Sequence, residues 1–400
     1  MILRWFLSRT VRQAVEMRKH VLRLLHAQRD LLSANAIQNI QNSTDSLRAS
    51  LSGGSSKTDL IEKMKALEET ANKWLKPYPH ASIRENVEVI LVAITVAMAI
   101  RTFMLQPMKI PTGSMQPTLY GITCDNLKEQ SGFSIPTGIA KFIDSWFYGT
   151  SYYHVTAVEE GELEAIEAPR QILPFVKKQR FRVGNHWYDI WFPPSNLPAR
   201  PGIQPDHLMF YHSGIKPGHR FQKGEDILKL KVVAGDHLFV NRMTYNFRQP
   251  RRGEIVIFET TGIPDLQQDT FYIKRLIAIG GDQVQIGNDQ HLVLNGNRLD
   301  ASTPHFEMVY AFEPTPKEYS YFGHVNETVG EKFQRPGIAP LFHSETNVFS
   351  VRPNHYLVMG DNTMNSYDSR YWGDFPREKV IGKSGFVYWP LSSRFGWSHR

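Results

Sequence analysis

The sequence predicts a mainly β chain, one β-rich domain preceded by an apolar helix and by further helices at the amino terminus. Three observations carry that reading. Short runs rich in β-branched and aromatic residues, each closed by Gly, Pro, Asn or Asp, recur between His237 and Pro390. The run Val87–Leu105 is apolar over about the length of a bilayer span. Ahead of it, Val11, Ala14, Val21 and Leu25 return at helical spacing among many arginines.

Composition sets the bounds. With 400 residues, 41% hydrophobic and 12% aromatic, the chain can bury a sizeable core and is no disordered polymer. A net charge of +7 raises nucleic acid as a partner. The basic residues are dispersed, however, and no zinc-ligand spacing or RNA-binding signature accompanies them. An anionic membrane surface accounts for the excess equally well. The single cysteine, Cys124, excludes an internal disulfide and reads as a small buried hydrophobe.

Residues 1–51 read as a basic amphipathic helical segment, with Leu7, Val11, Ala14, Val21, Leu25 and Leu32 on its apolar side. It lacks an apolar core followed by a small-residue cleavage site, so it is not a secretory leader. A coiled coil and a helix lying on the membrane both remain open. Residues 52–86 hold a linker and a cytoplasmic helix: "LSGGSSKTD" (Leu51–Asp59) is flexible by composition, and a polar helix over Leu60–Leu75 ends at "KPYPH". Residues 87–105 form the membrane span, interrupted only by Glu88 and by Arg101, which can snorkel. A buried core helix is the alternative. Lys57, Lys63, Lys65, Lys73, Lys76 and Arg84 keep the amino-terminal side in the cytoplasm, so everything after Leu105 lies outside.

Residues 106–400 are the β-rich domain. Its strands are "HLFVNR" (His237–Arg242), "EIVIFE" (Glu254–Glu259), "FYIKRLIAI" (Phe271–Ile279), "DQVQI" (Asp282–Ile286), "HLVLNGN" (His291–Asn297), "HYLVMG" (His355–Gly360) and "GKSGFVYWP" (Gly382–Pro390). The stretches of about 122–223 and 300–354 fit less well and read as insertions, neither with an internal repeat.

Chemistry concentrates in "IPTGSMQPTL" (Ile110–Leu119), just after the apolar run. Turn chemistry alone makes Ser114 an ordinary loop serine. A nucleophilic serine needs a positioned base. None of the histidines lies in a triad-like context, and His207, His212 and His219 share a polar loop rather than a metal site. The other solution is a lysine kept neutral by apolar surroundings. In "FYIKRLIAIGGD", strand alternation puts Tyr272, Lys274 and Leu276 on one face. An exposed lysine paired with an acid is the ordinary alternative.

"IPTGSMQPTL", "AGDHLFVNR" through "PRRGEIVIF", "YIKRLIAIGGD" and "MGDNTMNSYDSRYWG" (Met359–Gly373) follow one another directly after the membrane span. Together they resemble the type I signal peptidase family, the bacterial membrane-anchored Ser-Lys proteases, over about Glu85–Gln116 and Val232–Leu391. The resemblance implies a β-barrel or sandwich catalytic domain that needs no cofactor. It makes Ser114 the nucleophile and Lys274 the general base. The Thr112 hydroxyl and the Ser114 N–H become the oxyanion hole. Ser366 corresponds to the serine that orients the lysine, and Asp368 with Arg370 to a supporting charge pair. A substrate peptide is expected to add as a strand, with Met108, Ile110, Met115, Leu119, Tyr272 and Ile273 lining shallow apolar pockets for small residues. The implied partners are signal peptides of exported preproteins and the lipid bilayer, with no nucleic acid. The implied location is the bacterial plasma membrane, single-pass, with the catalytic domain on the outer side.

Two departures stand out. Thr363 and Met364 replace the family's usual Arg-Asp, and the gap from Ser114 to Lys274 is long. Two other readings compete: a self-cleaving Ser-Lys protease, which the membrane span disfavours, and a silent membrane-anchored peptide-binding domain, which has no need of a buried lysine.

Overall fold

The computed structural model describes residues 8–76, 81–130, 132–199, 202–216, 218–310 and 323–398. Leu7, the end of "KPYPH" and residues 311–322 of the second insertion lie outside the described residues. The chain forms two compact units, one up to Thr95 and the other from Val96.

The first unit packs α1 (Arg9–Ala27), α2 (Ala34–Gly53) and α3 (Lys57–Trp74) against one another. Val11, Ala14, Val21 and Leu25 meet Ile40, Leu47, Leu60 and Leu67 in its core. The amphipathic stripe is therefore covered by two further helices of the same chain. "LSGGSSKTD" is no flexible linker. Gly54, with φ 74°, closes α2 in the left-handed conformation that glycine adopts without penalty, and Ser56 caps α3 through the Asp59 N–H. Next comes α4 (Ala81–Phe103), whose stretch Ile83–Phe103 is long and apolar enough to cross a membrane and is wholly exposed.

The second unit is built on a sheet of β1 (Leu105–Lys109), β2 (His237–Asn241), β3 (Ile255–Glu259), β4 (Phe271–Ile279), β5 (His355–Met359), β6 (Phe375–Pro376), β7 (Val380–Trp389) and β8 (Gly396–Trp397). Its order is β1-β2-β7-β3-β4-β5-β6, with β8 on β7, and its strands pair antiparallel. The fold is mainly β with amino-terminal helices. The unbroken apolar run of β3 follows from burial on both faces: Ile255 and Ile257 join Ile110, Met115, Leu119 and Leu238, while Val256 and Phe258 join Leu276, Val358 and Phe375.

The insertions build smaller sheets. In the first, Asp226–Val233 pairs with Thr123–Asn126 and Thr150–Thr156. A separate five-stranded sheet within 161–221 helps enclose a core that includes Phe181, Phe210 and Phe221. Phe349–Ser350 of the second joins the predicted strands at 282–286 and 291–297, which leave the central sheet and pair with each other.

Candidate active site

Three segments converge on the site. The first is the turn after β1, where Gly113–Met115 forms one 3-10 turn. β4 supplies the second. The third is the loop after β5, whose Asn362 N–H donates to the Ser114 carbonyl at 3.0 Å and whose Asn362 Nδ2 donates to the Gly113 carbonyl at 3.0 Å. Two backbone-directed bonds thus fix the serine turn against a loop almost 250 residues away.

Lys274 Nζ lies 2.8 Å from Ser114 Oγ, and both side chains are buried. Lys274 shares its face of the sheet with Val256 opposite it in register and with Tyr272, whose ring centroid is 5.6 Å from Nζ. Burial pushes the lysine down to about 8, against the opposing pull of Asp368 and Asp361 and with help from Arg370. Charged, the amine donates to Oγ. Neutral, it accepts the hydroxyl proton at the same distance.

Thr112 is exposed just before the 3-10 turn, and its side chain caps nothing. The Ser114 N–H sits in the first turn, where backbone donors have no intrahelical acceptor. Ser366 is buried, its hydroxyl near enough to Asp368 to help hold that carboxyl low. The lysine amine is bonded to Ser114 and not to Ser366. Space explains how closely these groups approach: a Cβ on Gly360 would overlap Ser366 Oγ and stand 2.5 Å from the Ser114 carbonyl oxygen.

Asp368 and Arg370, both fully buried, pair at 2.9 Å. Burial alone would raise the Asp368 carboxyl, but Arg370 holds it below the usual range. The carboxylate also accepts the Gly360 N–H at 3.0 Å, and Arg370 donates to the carbonyls of Thr363 and Ser366. Thr363, one of the departures, takes a place in this network. Its hydroxyl accepts from Arg370 Nη1 at 2.8 Å and from the Val325 N–H of the second insertion at 3.0 Å.

Not all six expected pocket residues reach the surface. Ile110, Met115 and Leu119 are at most 2% exposed and belong to the core under the serine turn. Only Met108, Tyr272 and Ile273 are half-buried, at the edges of the two clusters.

Sequence reading missed a second ion pair. Arg275 Nε donates to Asp361 Oδ1 at 2.7 Å, Nη1 donates to the Gly253 carbonyl at 2.7 Å, and Nη2 reaches Thr118 Oγ1 at 3.2 Å. Thr118 in turn donates to Asp361. This knot ties the serine segment, the lysine strand and the last loop together. The available signal was the charged Arg275 inside an apolar strand, since such a residue has to find a buried partner.

A sequence profile described as "Signal peptidase, peptidase S26" matches residues 83–178 and 228–389, which is more than half of the chain and includes every segment of this site. The chain belongs to that family. The family match skips 179–227, which holds the strands His186–Trp191 and Arg220–Phe221 of the five-stranded sheet in the first insertion. Among relatives, a "Probable signal peptidase I-2" of Synechocystis sp. is 33% identical over 163 residues, covering 40% of this chain and 58% of the relative. A "Signal peptidase I" of Aquifex aeolicus is 30% identical over 188 residues, covering 40% of this chain and 70% of the relative. The match thus spans little more than half the length of the first relative. A solved signal peptidase I of Enterococcus faecalis aligns with 24% identity over 34% of this chain and 97% of that one, with a TM-score of 0.23.

Proposed function

We propose that the chain is a membrane-anchored serine endopeptidase that removes amino-terminal signal peptides from exported proteins by a Ser-Lys mechanism. The observation that carries it is the 2.8 Å approach of a buried, pKa-lowered lysine amine to Ser114 Oγ. Membership of the signal peptidase family supports the substrate class.

In the first step neutral Lys274 takes the Ser114 proton as Oγ attacks the scissile carbonyl. The developing oxyanion is met by the Thr112 hydroxyl and the Ser114 N–H, donors that strengthen as charge forms on the oxygen. Lys274 then returns the proton to the leaving amine. The amine next activates water to hydrolyse the acyl-serine. In this reading Ser366, buried in the loop after β5, is the hydroxyl that holds the amine once Ser114 is acylated. Asp368 and Arg370 keep that loop in place. Met108, Tyr272 and Ile273 offer the apolar surface at which a strand-like peptide is held. Its other partner is the bilayer, crossed by α4, with the first unit in the cytoplasm and the catalytic domain outside a bacterial plasma membrane.

The test is to incubate the detergent-solubilised full chain with a preprotein and sequence the new amino terminus. Processing at one site by the wild type, and none by a folded Ser114→Ala variant, is expected. Equal processing by the Ala variant overturns the assignment.

A further inference from the structure

Amphipathic helices of water-soluble domains turn their apolar stripe inward. The helix α5 (Gly138–Trp146), in the first insertion, does the reverse. At 100° per residue Ile139, Phe142, Ile143 and Trp146 fall on one stripe. Ile139 is 79% exposed, Phe142 60% and Trp146 68%. The residue that faces the protein is the polar one, as Asp144 accepts a 2.9 Å hydrogen bond from the Tyr152 hydroxyl. The helix is thus held by its polar side.

The stripe continues beyond the helix. Trp389 Nε1 donates to the Trp146 carbonyl at 2.7 Å, and the Leu391 N–H donates to the Phe147 carbonyl at 2.8 Å. These bonds join α5 to a carboxy-terminal segment that itself exposes Leu391, Phe395 and Trp397. Trp389 ends β7, which pairs His237 of β2, and His237 pairs Lys109 of β1, the strand that directly follows α4. Two strand spacings, about 10 Å, separate β7 from β1. The inverted stripe therefore stands across one sheet from the far end of β1, the strand whose first residue, Leu105, follows the apolar helix.

We propose that α5 lies in the interfacial layer of the lipid bilayer, apolar stripe down, as a second membrane contact beside α4. Trp, Phe and Ile gathered on one exposed face suit that layer, where aromatic rings settle. The inference rests on α4 being a membrane span and is independent of the peptidase chemistry.

The experiment places an environment-sensitive fluorophore on a single cysteine in a Cys124→Ala background. The full chain is reconstituted in phosphatidylethanolamine–phosphatidylglycerol vesicles, with or without lipids doxyl-labelled near the headgroup. Labels at Ile139→Cys and Phe142→Cys should be quenched by the doxyl lipid severalfold more than one at Ser145→Cys, which lies off the stripe, and should resist aqueous iodide. Iodide quenching at Ile139 and Phe142 without doxyl quenching overturns the proposal. A label at Val92→Cys near the middle of α4, read with lipids doxyl-labelled deep in the acyl chain, separates the two readings: quenching at Val92 alone overturns the α5 contact, and none at either place overturns the membrane span as well. A shielded α5 label insensitive to doxyl lipid, and unmasked when the protein is diluted in lipid, marks a second copy of the chain as the occupant and also overturns it.

Discussion

In the proposed mechanism Lys274 is useful only because burial disfavours its charge. Burial lowers its pKa to about 8, so the neutral amine needed for catalysis becomes the major species above that value. Cleavage rate should rise with pH through about 8 and then level off, and Lys274→Arg should abolish it because guanidinium keeps its proton. The same shift has a cost in stability. A lysine whose folded pKa is depressed binds fewer protons folded than unfolded, so the penalty is full below about 8 and disappears by about 10.5. Lys274→Met should therefore raise stability at pH 7 by on the order of 3 kcal/mol, and the gain should fade between those two values, as urea titrations at several pH values would show. Gly360 makes a different prediction. Its missing Cβ lets the Ser366 and Ser114 segments meet, so Gly360→Ala should keep the fold and lower kcat roughly hundredfold. An unchanged rate would mean that the approach is not required. Ser114 and Lys274 stood out in the sequence through the order of the four motifs and through the adjacent cations Lys274 and Arg275 inside an otherwise apolar strand. Ile110, Met115 and Leu119 were misread as pocket lining because apolar side chains beside a nucleophile look alike whether they face a peptide or the core beneath it.

Among the elements, strands were easier to read than their partners. The alternation and β-branching of β2, β3, β4, β5 and β7 marked them within a residue or two at most ends. The separate sheet taken up by 283–298 could not be read, because pairing is decided by distant segments such as Phe349–Ser350. Gly and Ser between α2 and α3 were read as flexibility, although the same residue types serve as caps. The carboxy-terminal segment after β7 shows how a distant element can hold the site. Arg394 donates twice to the fully buried Asp236 at 2.8 and 3.0 Å, and Asp236 accepts the Tyr120 N–H at 2.7 Å at the end of the serine segment. Arg394→Ala leaves that carboxylate buried without its cation, which should destabilise the domain by roughly 3 kcal/mol. Double replacement with Asp236→Asn should recover part of the loss. A thermal melt of the Ala variant that matches wild type would show that the ion pair contributes nothing.

For the whole molecule the decisive quantity is the charge on either side of α4. The segment before it carries Lys57, Lys63, Lys65, Lys73 and Lys76, and Arg84 lies in the helix's first turn, whereas the strand after it has Lys109. Cationic segments are retained on the cytoplasmic side, since moving each one across the bilayer opposes both desolvation and the membrane potential. The serine turn begins at Gly113, one short strand after Phe103, so in the proposed orientation Ser114 stands on the outer side, where a substrate emerging beside an apolar helix presents its cleavage site. Protease added outside intact spheroplasts should then digest the β domain and leave a protected fragment containing α1 to α3. Protection of both units would mean that α4 does not cross the membrane or that the domain faces inward. Replacing the six cations by Gln, with new lysines placed in the loop at 132–137, should weaken the bias and give a mixed population with part of the β domain protected. A fully accessible β domain in that variant would show that charge asymmetry does not set the orientation.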